Sequence, residues 1–368
     1  MKRSTILLLL GVVFLSFGYT TEGEGISKIY LIDNTLIRTV PGTGIGFYNI
    51  ANPASVAKVG AISLEGNADV ASKGQYLYAD REHDLLVYDI SDPSAPRLVD
   101  SIRQAFRSVN APNIFGDRVD VDDDQSFGGM SGCGCSENAP AVSPTFDSRG
   151  SESGQAGSLA RFMVVADYLY CLDDASILIY DISNPARPRY INAAGVDWGI
   201  ETIFHDGEHL FIGGQSGMYI LSIDDPSAPR WISEFTHRRA CDPVVVEGDR
   251  AYVTLRGGGP CGASGDQLDI IDIADIERPN LLKTVAMSGP YGLGVQGGIV
   301  LVCDGTAGLK AMDVRNLDAI EQCGGITDLV AYDVIWYGDL LIVTAEDGFH
   351  LFDAADPCNL AKWGRLEF

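Results

Sequence analysis

The chain has 368 residues, with 50 Asp and Glu against 26 Lys and Arg and a formal net charge of −24. So acidic a surface repels phosphate backbones, which excludes nucleic acid as a partner. Hydrophobic residues make up 46% of the chain, enough for a large core, and after the N-terminus no apolar run is long enough to span a bilayer.

The first 21 residues are laid out as a secretory leader. Lys2 and Arg3 precede an apolar run over 6–17, and a small polar exit follows at 18–21. The apolar run is short for a membrane span, and no Cys follows it to take a lipid. The expectation is a leader over 1–21, an extracytoplasmic destination (periplasm, cell surface or medium), and no stable membrane insertion after cleavage. An uncleaved anchor is the alternative.

Residues 85–97 read Leu-Leu-Val-Tyr-Asp-Ile-Ser-Asp-Pro-Ser-Ala-Pro-Arg, a strand running into a tight turn. Residues 177–189 and 218–230 are close copies, and weaker ones lie at 46–56, 268–280, 309–321 and 349–361. The position of Asp89 recurs as Asn49, Asp89, Asp181, Ser222, Asp272, Asp313 and Asp353, at steps of 40, 92, 41, 50, 41 and 40 residues. A period near 40 with several short strands per unit is the signature of a propeller blade. The long step is one blade plus an insertion of roughly 50 residues. The spacing predicts an all-β chain, a seven-bladed β-propeller with four antiparallel strands per blade. It would occupy 22–368 as a single domain, with a Gly/Ser/Asp-rich insertion at about 104–157 between blades 2 and 3. The run from Leu85 to Pro93, with Gly74 and Tyr78 ahead of it, resembles the LVIVD repeat of bacterial extracytoplasmic proteins. That resemblance implies a propeller and no particular activity.

Within each unit we expect strands A to D, as at 243–246, 251–255, 268–273 and 281–286 of blade 5. Gly74, Gly207, Gly248, Gly297 and Gly338 fall between A and B, where a hairpin needs positive φ. Asp92-Pro93 and Asn184-Pro185 close strand C, since Pro cannot donate to a ladder. The repeated Asp89-type carboxylate is expected to brace that turn by accepting backbone N–H bonds. Ring closure is expected from packing of blade 1 on blade 7, helped by residues 22–27; a blade shared between the chain ends is the alternative.

Strand direction separates two faces. The A–B and C–D turns share one, and they are short and uniform. The B–C and D–A connections share the other and vary in length, as binding loops on a scaffold do. The insertion is a D–A connection, so it is placed on the variable face, as a lid or a docking arm. Seven of the eight Cys are assigned to that face, with Cys358 the exception. The favoured disulfides are Cys241–Cys261 and then Cys303–Cys323, with Cys133 or Cys135 as partners for Cys171. The alternative is buried free thiols.

The upper ends of the A strands should ring the channel mouth with Lys28, Asp69, Arg161, Glu201, Asp242, Tyr291 and Asp333. Carboxylates there would bind a cation or an amine, or be satisfied by backbone and water. Asp120, Asp122 and Asp124 alternate as in calcium loops. Gln125 and Ser131 break the EF-hand pattern, which leaves a looser Ca²⁺ site or a solvated loop. Cys133 and Cys135 lack zinc spacing. No nucleophile elbow, zinc-protease motif or phosphate loop is present. Of the five His, only His83 and His237 fall on the variable face. The function expected is an exported, non-enzymatic binding propeller for a protein or glycan of the cell envelope. The rival is a metal-assisted hydrolase or lyase at the channel mouth, using Asp69, Glu201, Asp242 and Asp333.

Overall fold

A computed structural model describes residues 27–40, 43–106, 154–237, 243–257 and 265–367. They form seven antiparallel sheets over 29–63, 70–102, 162–195, 200–236, 244–286, 293–326 and 331–367. In each blade strands A to D follow one another in space as in sequence, and the sheet of blade 1 gains one further short strand beside A. In blade 2, A is Val70–Lys73, B Tyr76–Arg81, C Asp84–Asp89 and D Arg97–Ile102. The A strands touch their neighbours around a central axis, and blade 7 touches blade 1. This is the expected seven-bladed propeller, with whole blades in phase with the sequence. Among the described residues no helix is long and apolar enough to cross a membrane.

Strands A to C carry nearly continuous apolar runs because both faces of each sheet are covered. Leu85, Leu86 and Val87 are all buried although successive side chains point to opposite faces. Strand D is the rim, and Leu98, Tyr190 and Trp231 on it are exposed.

The turns follow from local hydrogen bonding. In all seven blades the Asp89-type side chain accepts the backbone N–H two residues on: Asn49 from Ala51, Asp89 from Ser91, Asp181 from Ser183, Ser222 from Asp224, Asp272 from Ala274, Asp313 from Arg315 and Asp353 from Ala355. Bonds from Ser183 and Arg189 hold the Asp181 carboxyl down to about 2, and Arg315 does the same for Asp313. After each turn the C–D register slips by one residue, as between Val87 and Tyr88, a bulge that bends strand D outward. The A–B glycines named above take positive φ, and blades 1 and 3 put Asp33 and Ala166 in that conformation instead.

The blades are joined through the carbonyl of the residue after Asp92 and its counterparts in the C–D turns, Asn184, Asp225 and Asp275. Tyr78 of blade 2 donates to Pro185 O of blade 3 at 3.0 Å, and Tyr170 of blade 3 to Pro226 O of blade 4 at 2.8 Å. Ser233 of blade 4 donates to Ile276 O of blade 5 at 2.6 Å. Blade 7 closes on blade 1 in a related way. Gly364 lies so close to the C–D turn of blade 1 that a Cβ there would stand 1.8 Å from Pro53 O. Tyr48 meets Phe349 edge-on across the same seam, with ring centroids 5.5 Å apart. Of the segment expected to help closure, only Ser27 is described, and it accepts from Arg38 Nε.

The disulfide pattern corrects the sequence reading. Cys303 ends strand B of blade 6 (Ile299–Cys303) and is a buried free thiol. Cys323 lies on strand D (Glu321–Ile326), two strands away. Two inter-strand spacings are roughly 10 Å, beyond disulfide reach. Cys323 instead bonds to Cys358 in the C–D turn of blade 7, with Cα atoms 5.1 Å apart. Cys323 therefore belongs beside the Asp-Pro turns and not on the variable face. Cys171 is also a buried free thiol, so it ties nothing to the insertion. Cys133, Cys135, Cys241 and Cys261 lie outside the described residues.

Two outcomes are expected. The double variant Cys323→Ser/Cys358→Ser should lose about 2–4 kcal/mol of unfolding free energy in urea titration, as expected for a closed loop of this length; its ends are 35 residues apart. Gly364→Ala should lose about 1–3 kcal/mol by overpacking the closing seam, seen as a lower melting temperature.

Candidate functional site

The axial channel is filled by the chain itself. Gln155 and Ala156 pair antiparallel with the inner edge of strand A of blade 1 (Ile29–Ile32), opposite Leu31 and Tyr30. The Gly157 N–H continues the ladder to Ile29 O at 3.0 Å. Strand A descends from the D–A side to the A–B side, so its partner climbs the other way. Four residues span roughly 13 Å, which puts Gln155 near the far end. The insertion leaves blade 2 on the variable face, where the Phe106 N–H meets His83 O. Its last residues, however, rise through the channel rather than arching over its mouth. Residues 107–153 are not among those described.

Residues 155–161 then bond to the blades around them. Gln155 Nε2 donates to Trp336 O of blade 7 at 3.1 Å. Ser158 Oγ accepts from the Leu293 N–H of blade 6 at 2.8 Å and donates to Asp333 of blade 7 at 2.9 Å. Ala160 O accepts from the Ile203 N–H of blade 4, and the Arg161 N–H donates to Asp69 of blade 2. Every such bond satisfies a backbone or side-chain group that would otherwise be buried unpaired.

Of the residues expected at the channel mouth, Asp333 and Asp69 bond to this plug. Asp333 is fully buried between two glycines. A Cβ on Gly157 would stand 2.1 Å from its Oδ2, and one on Gly292 2.2 Å from its Oδ1. Asp69 accepts from Lys28 Nζ at 3.1 Å, from the Val70 N–H at 2.7 Å and from the Arg161 N–H. Tyr291 donates nothing to the plug; its ring and hydroxyl face Arg256. Glu201 accepts from Gln215 at 3.1 Å. Asp69, Glu201 and Asp333 are thus engaged separately and do not converge on one point. Asp242 and the Asp120, Asp122 and Asp124 run lie outside the described residues, so the Ca²⁺ expectation falls there. Among the described residues no group of three or more His, Cys, Asp or Glu is disposed to hold a metal.

What opens on the variable face is a polar depression at the seams of blades 2, 3 and 4. Between blades 3 and 4 it holds about 650 Å³ and is lined by Asp174, Asp197, Trp198, Glu201, Gln215 and neighbours. Between blades 2 and 3 it holds about 200 Å³, bordered by Asp69, Asp80, His83 and Phe106. Arg161 and Asp174 line both parts. Burial pushes the Glu201 carboxyl up. Asp80 is raised to about 6 by burial, against amide bonds from Asp69 and Ala68. Of the expected residues, the fold gathers Asp69, Arg161 and Glu201 here, while Tyr291 and Asp333 line neither part. Sequence reasoning missed Trp198, Gln215, Asp174 and Asp80. An aromatic between Asp197 and Gly199 in a D–A connection was the available signal for the first.

These features define a plugged seven-bladed propeller with an open inter-blade depression on its variable-loop face. Two of its segments, 65–103 and 154–192, match the family model of the LVIVD repeat. Those segments cover blade 2 and most of blade 3. No curated protein matches the sequence. Among solved structures, the chain is similar to the periplasmic gluconolactonase PpgL of Pseudomonas aeruginosa, at 11% identity and TM-score 0.60 over 93% of this chain and 95% of that one. It is also similar to a functionally unknown protein of Desulfotomaculum acetoxidans, at 12% identity and TM-score 0.57 over 92% and 94%. The computationally designed protein Ika8 matches at 10% identity and TM-score 0.54 over 92% and 87%. At these identities the likeness is one of fold.

Complete burial raises the Asp333 carboxyl to about 6, although Val334 and Ser158 donate to it. Its unfolded value is near 4, so the folded state binds the proton more tightly. Stability is therefore full below about pH 4 and falls as pH rises through 6. Two units correspond to about 3 kcal/mol. In Asp333→Asn the fall in urea midpoint between pH 4 and pH 7 should shrink accordingly. An unchanged slope would mean that Asp333 does not titrate inside the plugged channel.

Proposed function

We propose that the protein is an exported, non-enzymatic binding propeller that recognises a protein or glycan of the cell envelope or surroundings through the face bearing the B–C and D–A loops. The observation that carries this reading is the open depression at the seams of blades 2 to 4, beside an axis closed by the chain's own residues. Variable loops on a rigid scaffold supply such a site without a reactive constellation. The Cys323–Cys358 disulfide and the LVIVD repeats are compatible with an extracytoplasmic location. A gluconolactonase among the similar folds does not transfer its activity, because a propeller hosts unrelated functions. The rival, a metal-assisted hydrolase or lyase, needs Asp69, Glu201 and Asp333 to share a cation, and each is engaged by different protein donors.

Site-specific photocrosslinking in the producing cells tests the reading. A photoreactive residue at His83 or Ser216 should yield a discrete adduct, while one at Asp225 or Asp275, in C–D turns on the other face, should not. Equal labelling from both faces, or adducts from the C–D turns alone, would overturn it.

A further inference from the structure

Within the depression, the part between blades 3 and 4 has the make-up of a sugar subsite. We propose that it binds a pyranose unit of a neutral glycan, with Trp198 as the stacking platform. This inference rests on the reading above that the variable-loop face is the binding face.

The indole of Trp198 is 53% exposed in a loop that is otherwise tied down. The Trp198 backbone N–H donates to Asp197 Oδ1 at 2.8 Å, and Gly199 turns the chain with φ +73°. Asp197 Oδ2 in turn accepts from Tyr219 at 2.6 Å and from Ser216 at 3.2 Å, which fastens the loop to blade 4. A flat aromatic face with a polar edge suits ligands that are part apolar and part hydrated. The apolar face of a pyranose is such a surface.

The groups around the indole are planar hydrogen-bonding side chains with capacity to spare. Gln215 Nε2 bonds one oxygen of Glu201 at 3.1 Å, which leaves the second Glu201 oxygen and the Gln215 carbonyl uncommitted. Among the described residues Arg161 pairs with no carboxylate. Its Nη2 makes one long bond, 3.4 Å, to Leu172 O, and its Nε is buried without a partner. Asp174 adds acceptors at the edge. A volume of about 650 Å³ is in the range of small-molecule sites.

Charge selects among ligands. An ammonium group would meet the unpaired Arg161 guanidinium. A polyanion would meet Asp174, Asp197 and Glu201 on a protein of formal charge −24. A neutral polyol meets donors and acceptors in alternation and carries no charge to oppose. Vicinal hydroxyls also match the bidentate geometry of guanidinium, carboxylate and amide.

The test uses the full exported chain on an array of neutral, N-acetylated, uronate and basic oligosaccharides and oligolysine, followed by calorimetric titration with the best neutral binder. Saturable binding of a neutral oligosaccharide is expected, weakened at least tenfold in Trp198→Ala. Trp198→Phe should keep part of it, and Gln215→Ala should weaken it several-fold. Tyr190→Ala, an exposed aromatic on strand D of blade 3 outside the cleft, should change nothing. Absence of neutral-glycan binding, binding indifferent to Trp198→Ala, or selective binding of oligolysine or uronate would each overturn the proposal. Crosslinking from Ser216 separates the two levels: adducts without neutral-glycan binding sink the sugar subsite alone, and loss of both sinks the binding face as well.

Discussion

The structure depends on one repeated junction, in which strands B or D of one blade meet the C–D turn of the next. A short antiparallel sheet with both faces apolar has no stability alone, and its faces must be covered by copies of itself. The Asx residue holds the turn, and the carbonyl after it is turned toward the preceding blade. The neighbour meets that carbonyl in whatever way its own sequence allows. The contact is a tyrosine hydroxyl from Tyr78 and Tyr170, a serine from Ser233, and bare glycine backbone at Gly60 against Pro93 O and Gly364 against Pro53 O. At the junction of blades 6 and 7 the glycine contact falls one residue further on, Gly324 against Cys358 O, and is reinforced by the covalent Cys323–Cys358 bond. One geometric requirement is met by four different chemistries, so the blades keep their spacing while their sequences drift.

A ring of seven such sheets leaves a hole on its axis. The hole is lined by the inner edges of the A strands, whose backbone groups point inward without a ladder partner. Here the end of the insertion fills it, pairing with blade 1 and then reaching blades 7, 6, 4 and 2 in turn. Small residues make this fit, since Gly157 and Gly292 let two backbones close on the Asp333 carboxylate. The carboxylate is left with one oxygen bonded and the other, Oδ2, without a partner. Its raised pKa is the physical consequence of that enclosure.

The blade count, the strand limits and the turn-bracing role of the Asp89 position were legible because each is a local property repeated at fixed spacing. Hydrogen bonds two residues apart do not depend on the rest of the fold. The Cys323–Cys358 bond was not legible, because it joins strand D of one blade to the turn of the next, and nothing near either cysteine says which elements abut. The plug was hidden for a related reason. Gln155 and Ala156 have no strand-forming character of their own, and the open edge of Ile29–Ile32 imposes their extended pairing. The candidate site lay between these cases. Asp69, Arg161 and Glu201, reached by counting from the A–B turn, line the depression. Gln215 reaches Glu201 across the hairpin of blade 4, while Lys28 reaches Asp69 from blade 1 across a seam that only the tertiary fold makes.

Closing the axis moves the accessible chemistry outward, and it does so unevenly. Arg161 is the last residue of the plug and also the floor of the depression on both sides of blade 3. Its backbone N–H is held by Asp69, which is itself held by Lys28, so the guanidinium projects from a fixed point on the channel rim. The seams flanking blade 3 therefore differ from the other five, because Phe106 and Arg161, the described residues on either side of the insertion, both border the depression there. An excursion between blades 2 and 3 thus breaks the seven-fold equivalence of the face at the same seams where the polar depression opens. A ring of near-identical units acquires one distinguishable sector without any change in the blades themselves.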